Sequence, residues 1–210
     1  MIVTSNARMG ATDQATGLYL PELAHPYEVL ESAGYAIDVA SPEGGEAPID
    51  PKSLSPELSR FVPLTKNTLP LEQVDPANYD AFMVVGGHGT MWDLPNDQHL
   101  QRLLPEAYAS GKVIAAVCHG PAALTRLKKK DGSPLLEGRH VTGFTNDEEA
   151  AVGLTTVMPF LLEDALKSAG GKYIKAPNWQ ANVVVDQNIV TGQNPASARG
   201  VGEAIARLIS

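Results

Sequence analysis

Cys118 is the only cysteine of the chain, and it follows the apolar run "VIAAV" with a small residue two places to either side, Ala116 and Gly120. A helix-compatible stretch resumes at about Pro121, so Cys118 falls at a strand-to-helix turn. A turn this sharp brings neighbouring backbone too close for larger side chains and pushes the central one outwards, the geometry of a nucleophile elbow. A structural cysteine has no need of small flanks. Cys118 therefore reads as a nucleophile rather than as a small buried hydrophobe. At a helix N-terminus its thiol would face free backbone N–H groups, which lower the pKa and favour the thiolate. His119 follows directly, but adjacent side chains usually diverge, and the pair by itself says less than the small residues around it.

A second turn, "GGHGTMWDLP", follows the run "AFMVV". It places Gly86, Gly87 and Gly89 at the same sheet edge as Cys118, where open α/β sheets bind ligands, and these glycines would let backbone approach a ligand closely. The GxGxxG spacing of a dinucleotide site is absent. The backbone of Gly87 or His88 fits an oxyanion hole better, with the His88 side chain as a packing or orienting group. Glu22, in "TGLYLPELAHP", lies near a helix start among apolar neighbours. Burial there would raise its pKa and let it exchange protons near neutrality.

Elements must bring these residues together. The runs "AIDVA", "AFMVV", "VIAAV", "NVVV" and "NIVTG" alternate with helical patterns, which predicts a largely parallel sheet covered on both faces. Helices are expected over "PELAHPYEVLESAG", stopping at Gly34, over "PNDQHLQRLLPEAYASG", stopping at Gly111, and over "PFLLEDALKSAGG" and "NPASARGVGEAIARLI". The first strand, in "MIVTSN", is clipped. Residues 41–76 carry seven prolines and little periodicity, an excursion from the sheet that serves as a packing arm, a lid or a dimer contact. The chain of 210 residues reads as one domain over 1–210 with that excursion.

A net charge of −8 argues against a nucleic-acid surface, and the one basic run, "RLKKK", reads as a solvated helix end. A lone cysteine excludes an internal disulfide and a Cys-based zinc knuckle. No window approaches the roughly 18 apolar residues of a membrane span, and the start lacks a leader pattern, so a cytoplasmic location is expected. A class I glutamine amidotransferase would need a His-x-Glu downstream of the elbow, whereas the only later histidine is His140, without one. A cysteine peptidase or amidase remains as an alternative, without a recognisable peptide groove.

Four stretches together, "TGLYLPELAHPY", "GGHGTMWDLP", "AAVCHGPAAL" with "GRHVTGFTNDEE", and "VTGQNPASA", resemble the DJ-1/ThiJ/PfpI superfamily and, within it, the Hsp31-like glyoxalase III group. The resemblance implies a flavodoxin-like three-layer α/β sandwich with a mostly parallel central sheet, usually a homodimer. Carried onto this chain, it places the nucleophile at Cys118, the adjacent histidine at His119 and a thiol-bonding glutamate at Glu22. The third triad acid falls on Glu149, with Asp147 and Glu148 as neighbouring choices. It also implies a cofactor-free, metal-free conversion of methylglyoxal or glyoxal, in which methylglyoxal and water give D-lactate. Activity as a holding chaperone for unfolded clients or as a protein deglycase is the alternative it carries.

Overall fold

The computed structural model describes residues 1–210. Its central sheet is built from β3 (Ala81–Val84), β4 (Val113–Val117), β8 (Ile189–Gly192) and β7 (Val183–Asp186), in that spatial order. β3, β4 and β8 run parallel, while β7 returns antiparallel to β8. Every residue of β4 is buried, as a central strand covered on both faces requires.

Beyond β3 the sheet continues through Ile2, which bridges both Val84 and Ala40, to β1 (Ala40–Ser41) and then β2 (Leu69–Pro70). The first strand is thus as short as expected. "AIDVA" joins the ladder only at its end, because Ile2 offers one residue to pair with. The proline-rich segment does not simply leave the sheet, since it returns as β2. Between those points it forms a three-residue 3-10 turn from Pro51 and a ten-residue 3-10 stretch from Pro56, where fixed φ suits a first helical position. Phe61 and Leu71 anchor it in the core.

α1 (Leu20–Ser32) and α6 (Ala198–Ile209) pack together on one face, with α6 against β4 and β8. α3 (Gln98–Ala109) covers β4 from the other face, with α2 (Thr90–Asp93) after the glycine turn. The helix ends obey the sequence signals: Asp97 caps α3 through the Leu100 amide at 2.7 Å, and Gly34 and Gly111 take positive φ beyond their helices. β5 (His140–Val141) and β6 (Lys172–Tyr173) form a small parallel pair flanked by α4 (Asn146–Ala151) and α5 (Leu162–Ser168).

The basic run is a correction. Arg126–Lys130 does not end a helix but enters a turn in which Lys128 bridges Pro134, because burying Leu127, Leu135 and Leu136 folds the chain back on itself. No helix is long and apolar enough to cross a membrane.

Candidate active site at the cysteine elbow

Cys118 takes φ +59, a left-handed conformation that strains any residue with a side chain. Its surroundings hold it there: its N–H donates to the Gly192 carbonyl, and its own carbonyl accepts from the Phe144 N–H, both at 2.9 Å. Gly120 is required because a Cβ there would lie 2.4 Å from the Val84 carbonyl oxygen. The small flanks of the cysteine thus answer to the neighbouring strand.

Two electrostatic expectations change. The residues after the elbow, Gly120–Leu124, form a five-residue 3-10 turn rather than an α-helix, so few aligned peptide dipoles face the sulfur. Burial, and next the Glu22 carboxyl, push the Cys118 thiol up rather than down. Desolvation of the thiolate wins. The thiol is therefore protonated at rest and needs a base.

His119 is placed to be one. Its Nδ1 is 3.4 Å from Cys118 Sγ, a contact between adjacent side chains that the left-handed turn at Cys118 makes possible. Its Nε2 lies 2.6 Å from Glu149 Oε2, and His88 Nε2 lies 2.8 Å from Glu149 Oε1. Burial, then the neighbouring His88 ring, lower the His119 pKa and keep the ring neutral. Burial alone would raise Glu149, but the two imidazoles outweigh it and hold the carboxyl at about 2. With each ring donating an Nε2–H to this carboxylate, the His119 Nδ1 lone pair faces the thiol.

The three neighbouring acids divide cleanly. Asp147 pairs with exposed Lys175 at 2.8 Å. Glu148 completes a capping box with Thr145. It also accepts from the Trp179 amide at 3.0 Å and from Asn194 Nδ2 at 2.8 Å. Glu149 alone meets the histidines. His88, Glu149 and His119 also offer three donor atoms within 4.8 Å of one another, a set that could ligate a divalent cation if it displaced the two protons now shared with Glu149.

Glu22 is fully buried, and its carboxyl oxygens complete no hydrogen bond. Burial raises its pKa to about 8, against the opposing pull of the Cys118 thiol and the Gly86 amide beside it. The thiol bond implied by the resemblance is approached without being closed. The glycine turn explains how the carboxyl fits: a Cβ on Gly86 would stand 2.2 Å from Glu22 Oε2 and 2.8 Å from Cys118 Cβ. At Gly87, with φ +109, a Cβ would meet the Gly17 carbonyl oxygen at 2.3 Å. These glycines accommodate the protein's own chain, where the sequence suggested approach to a ligand. The amides of Gly87, His88 and His119 donate to no other backbone group.

Cys118, His119, Gly87 and His88 open onto a cavity of about 170 Å³, smaller than the roughly 300–1,000 Å³ of drug-sized sites. Tyr19, Asp50, Lys52, Phe144 and Trp179 share its wall with Met9, Val152, Leu154 and Pro195, and sequence reasoning missed all of them. Tyr19 was findable, three residues before Glu22. Asp50 and Trp179 reach the pocket on loops fixed by distant partners: Thr16 Oγ1 holds Asp50 Oδ2 at 3.0 Å, and Trp179, at φ +64, hangs from Glu148.

Fold and site together define a doubly covered α/β protein with a cysteine at a strand-end elbow, backed by a buried glutamate and faced by a His–Glu pair. Residues 15–208 match the DJ-1/PfpI family, and the chain belongs to it. It is 34% identical to Glyoxalase 3 of Candida albicans over 97% of this chain and 94% of that relative. It is also 34% identical to the glutathione-independent glyoxalase HSP31 of Saccharomyces cerevisiae, over 87% and 85% respectively. The crystal structure of Candida albicans glyoxalase III superposes with a TM-score of 0.91 at 33% identity, covering 100% of this chain and 95% of that one. The Rapid Encystment Protein 24 kDa of Francisella tularensis superposes with a TM-score of 0.93 at 41% identity, covering 100% and 97%. The flavodoxin-like sandwich and the likeness to Hsp31-like glyoxalases are thus both as the motifs implied.

Proposed function

We propose that this chain is a glutathione-independent glyoxalase that converts methylglyoxal and water to D-lactate, a D-lactate dehydratase in the lyase class. One observation carries the reading: a thiol lies between a buried proton-exchanging carboxyl, Glu22, and a neutral imidazole tied to a carboxylate, His119 with Glu149. The names of the relatives support it.

Cys118 Sγ adds to the aldehyde carbon C1 as its proton passes to His119 Nδ1. The developing C1 oxyanion lies at the Gly87 and His119 amides and takes that proton back, giving the hemithioacetal. Glu22, as carboxylate, removes the C1 proton; the C–H electrons form the C1=C2 bond and the C2 carbonyl π electrons move onto the C2 oxygen, giving an enediolate. The C1 hydroxyl proton shifts to the C2 oxygen and Glu22 returns its proton to C2, leaving a thioester, which water cleaves to lactate and free thiol. The redox change stays inside the substrate. A Glu22 pKa of about 8 suits a group that must both accept and return a proton near neutrality.

The purified protein, incubated with methylglyoxal and no glutathione, is expected to form D-lactate, and Cys118→Ala to form none. Wild-type output no higher than that of the variant would refute the reading.

A further inference from the structure

Resting on the glyoxalase reading, we infer that the Tyr19 hydroxyl is a further catalytic group, the hydrogen-bond donor to the substrate's C2 oxygen. Tyr19 lines the cavity that holds Cys118, His119 and Gly87. It is the N-cap residue of α1, and its carbonyl accepts from the Glu22 amide at 2.9 Å. Its backbone is extended, with φ −90 and ψ 107, as the last residue before the first helical turn. Tyr19 therefore reaches the pocket from the element that carries Glu22 under the thiol. Its own amide donates to the Gly86 carbonyl at 3.0 Å, fixing it against the glycine turn.

The hydroxyl is uncommitted. The phenols of Tyr79, Tyr108 and Tyr173 each have a protein partner, whereas those of Tyr19, Tyr27 and Tyr35 have none, and of these only Tyr19 lines this cavity. Of the other polar groups of the wall, the Trp179 indole N–H is also without a protein partner but sits on a half-exposed side chain. Asp50 is engaged at both oxygens, by Thr16 Oγ1 and by the Lys52 amide. Lys52 itself is exposed at the mouth. Burial, then the negative charge available at Glu22, raises the Tyr19 pKa, so the phenol stays a donor throughout the pH range of the reaction.

In the reaction proposed above, the C1 oxygen occupies the amides of Gly87 and His119, which leaves the C2 oxygen needing its own donor. As Glu22 takes the C1 proton, the C2 carbonyl π electrons move onto that oxygen. Tyr19 donates a hydrogen bond to it and keeps its proton. The proton on the C1 oxygen then crosses to the C2 oxygen of the cis-enediolate, and Glu22 returns its proton to C2. Such a bond strengthens only as charge develops, so its loss lowers kcat more than it raises KM.

The test is Tyr19→Phe assayed for D-lactate from methylglyoxal without glutathione, beside wild type and Tyr27→Phe, a tyrosine that packs on Phe61 away from the pocket. The expected result is a kcat lower by about 10- to 100-fold with KM within about twofold, an unchanged melting temperature, and a Tyr27→Phe variant as active as wild type. An unchanged kcat, or a raised KM at unchanged kcat, would overturn the assignment. A wild-type enzyme that makes no D-lactate would instead remove the glyoxalase reading beneath it.

Discussion

Glu22 carries the clearest conflict between stability and chemistry. Its folded pKa is raised to about 8, above the roughly 4.3 of an unfolded glutamate. The folded state therefore binds the proton more tightly, and the group's stabilising contribution is complete only below pH about 4.3. It is lost progressively as pH rises through about 8, because an ionised, unpartnered carboxylate must then stay buried. Glu22→Gln keeps the shape and cannot ionise. Chemical denaturation at pH 5 and pH 9 should show the variant gaining about 4 kcal/mol over wild type between the two conditions. Equal effects at both values would mean that the carboxyl does not titrate in the fold. The elbow at Cys118 was legible because small flanking residues are a local signal, whereas the place of Glu22 beside the thiol came from the resemblance and not from its apolar neighbours alone. The thiol's pKa direction was not legible, since burial, rather than the adjacent turn, sets it. His88 was placed on the right turn, but its bond to Glu149 joins residues 61 apart in sequence, and no local pattern reports that.

Strand ends set the shape of the elbow. β4 delivers Cys118, and the approach of β3 leaves no room at Gly120, where a Cβ would lie 2.4 Å from a backbone oxygen. Gly120→Ala must push β3 and β4 apart, so thermal or urea denaturation should register a loss of about 1–3 kcal/mol or more. A neutral substitution would show that the turn can relax and that the flanking glycine is incidental. Elements that persist for a full turn or a buried run were visible in sequence: β3, β4, β7, β8 and the helices ending at Gly34 and Gly111, though not the antiparallel pairing of β7 with β8. The conformation just after Cys118 was hidden. Pro121 is compatible with an α-helix start, yet the stretch stays a 3-10 turn. The chain must turn away soon afterwards to bury Leu127 against the core. The walls of the pocket were equally hidden, since residues such as Asp50 and Trp179 gain their positions from hydrogen bonds to remote side chains.

Across the molecule, the helix layer on the far side of the sheet reaches the active site through α1. α6 lies so close to it that a Cβ on Gly202 would stand 2.8 Å from Pro26 Cα. Pro26 has no N–H to give the carbonyl of Glu22, four residues earlier, so α1 lacks a restraining hydrogen bond between its contact with α6 and its Glu22 end. Displacement at Pro26 therefore passes readily to Glu22 and to Tyr19 just before the helix. Gly202→Ala should lower the melting temperature, and it should also reduce kcat for D-lactate formation by about tenfold or more, since shifts of about 1 Å in reacting groups cost up to about 100-fold. KM should change little, because the Gly87 and His119 amides are borne by β3 and β4 rather than by α1. A variant that is destabilised to the same degree but turns over at the wild-type rate would show that α1 and α6 only support the sheet. A parallel fall in activity and stability would make the helix pair part of the device that holds a proton-exchanging carboxyl beneath the thiol.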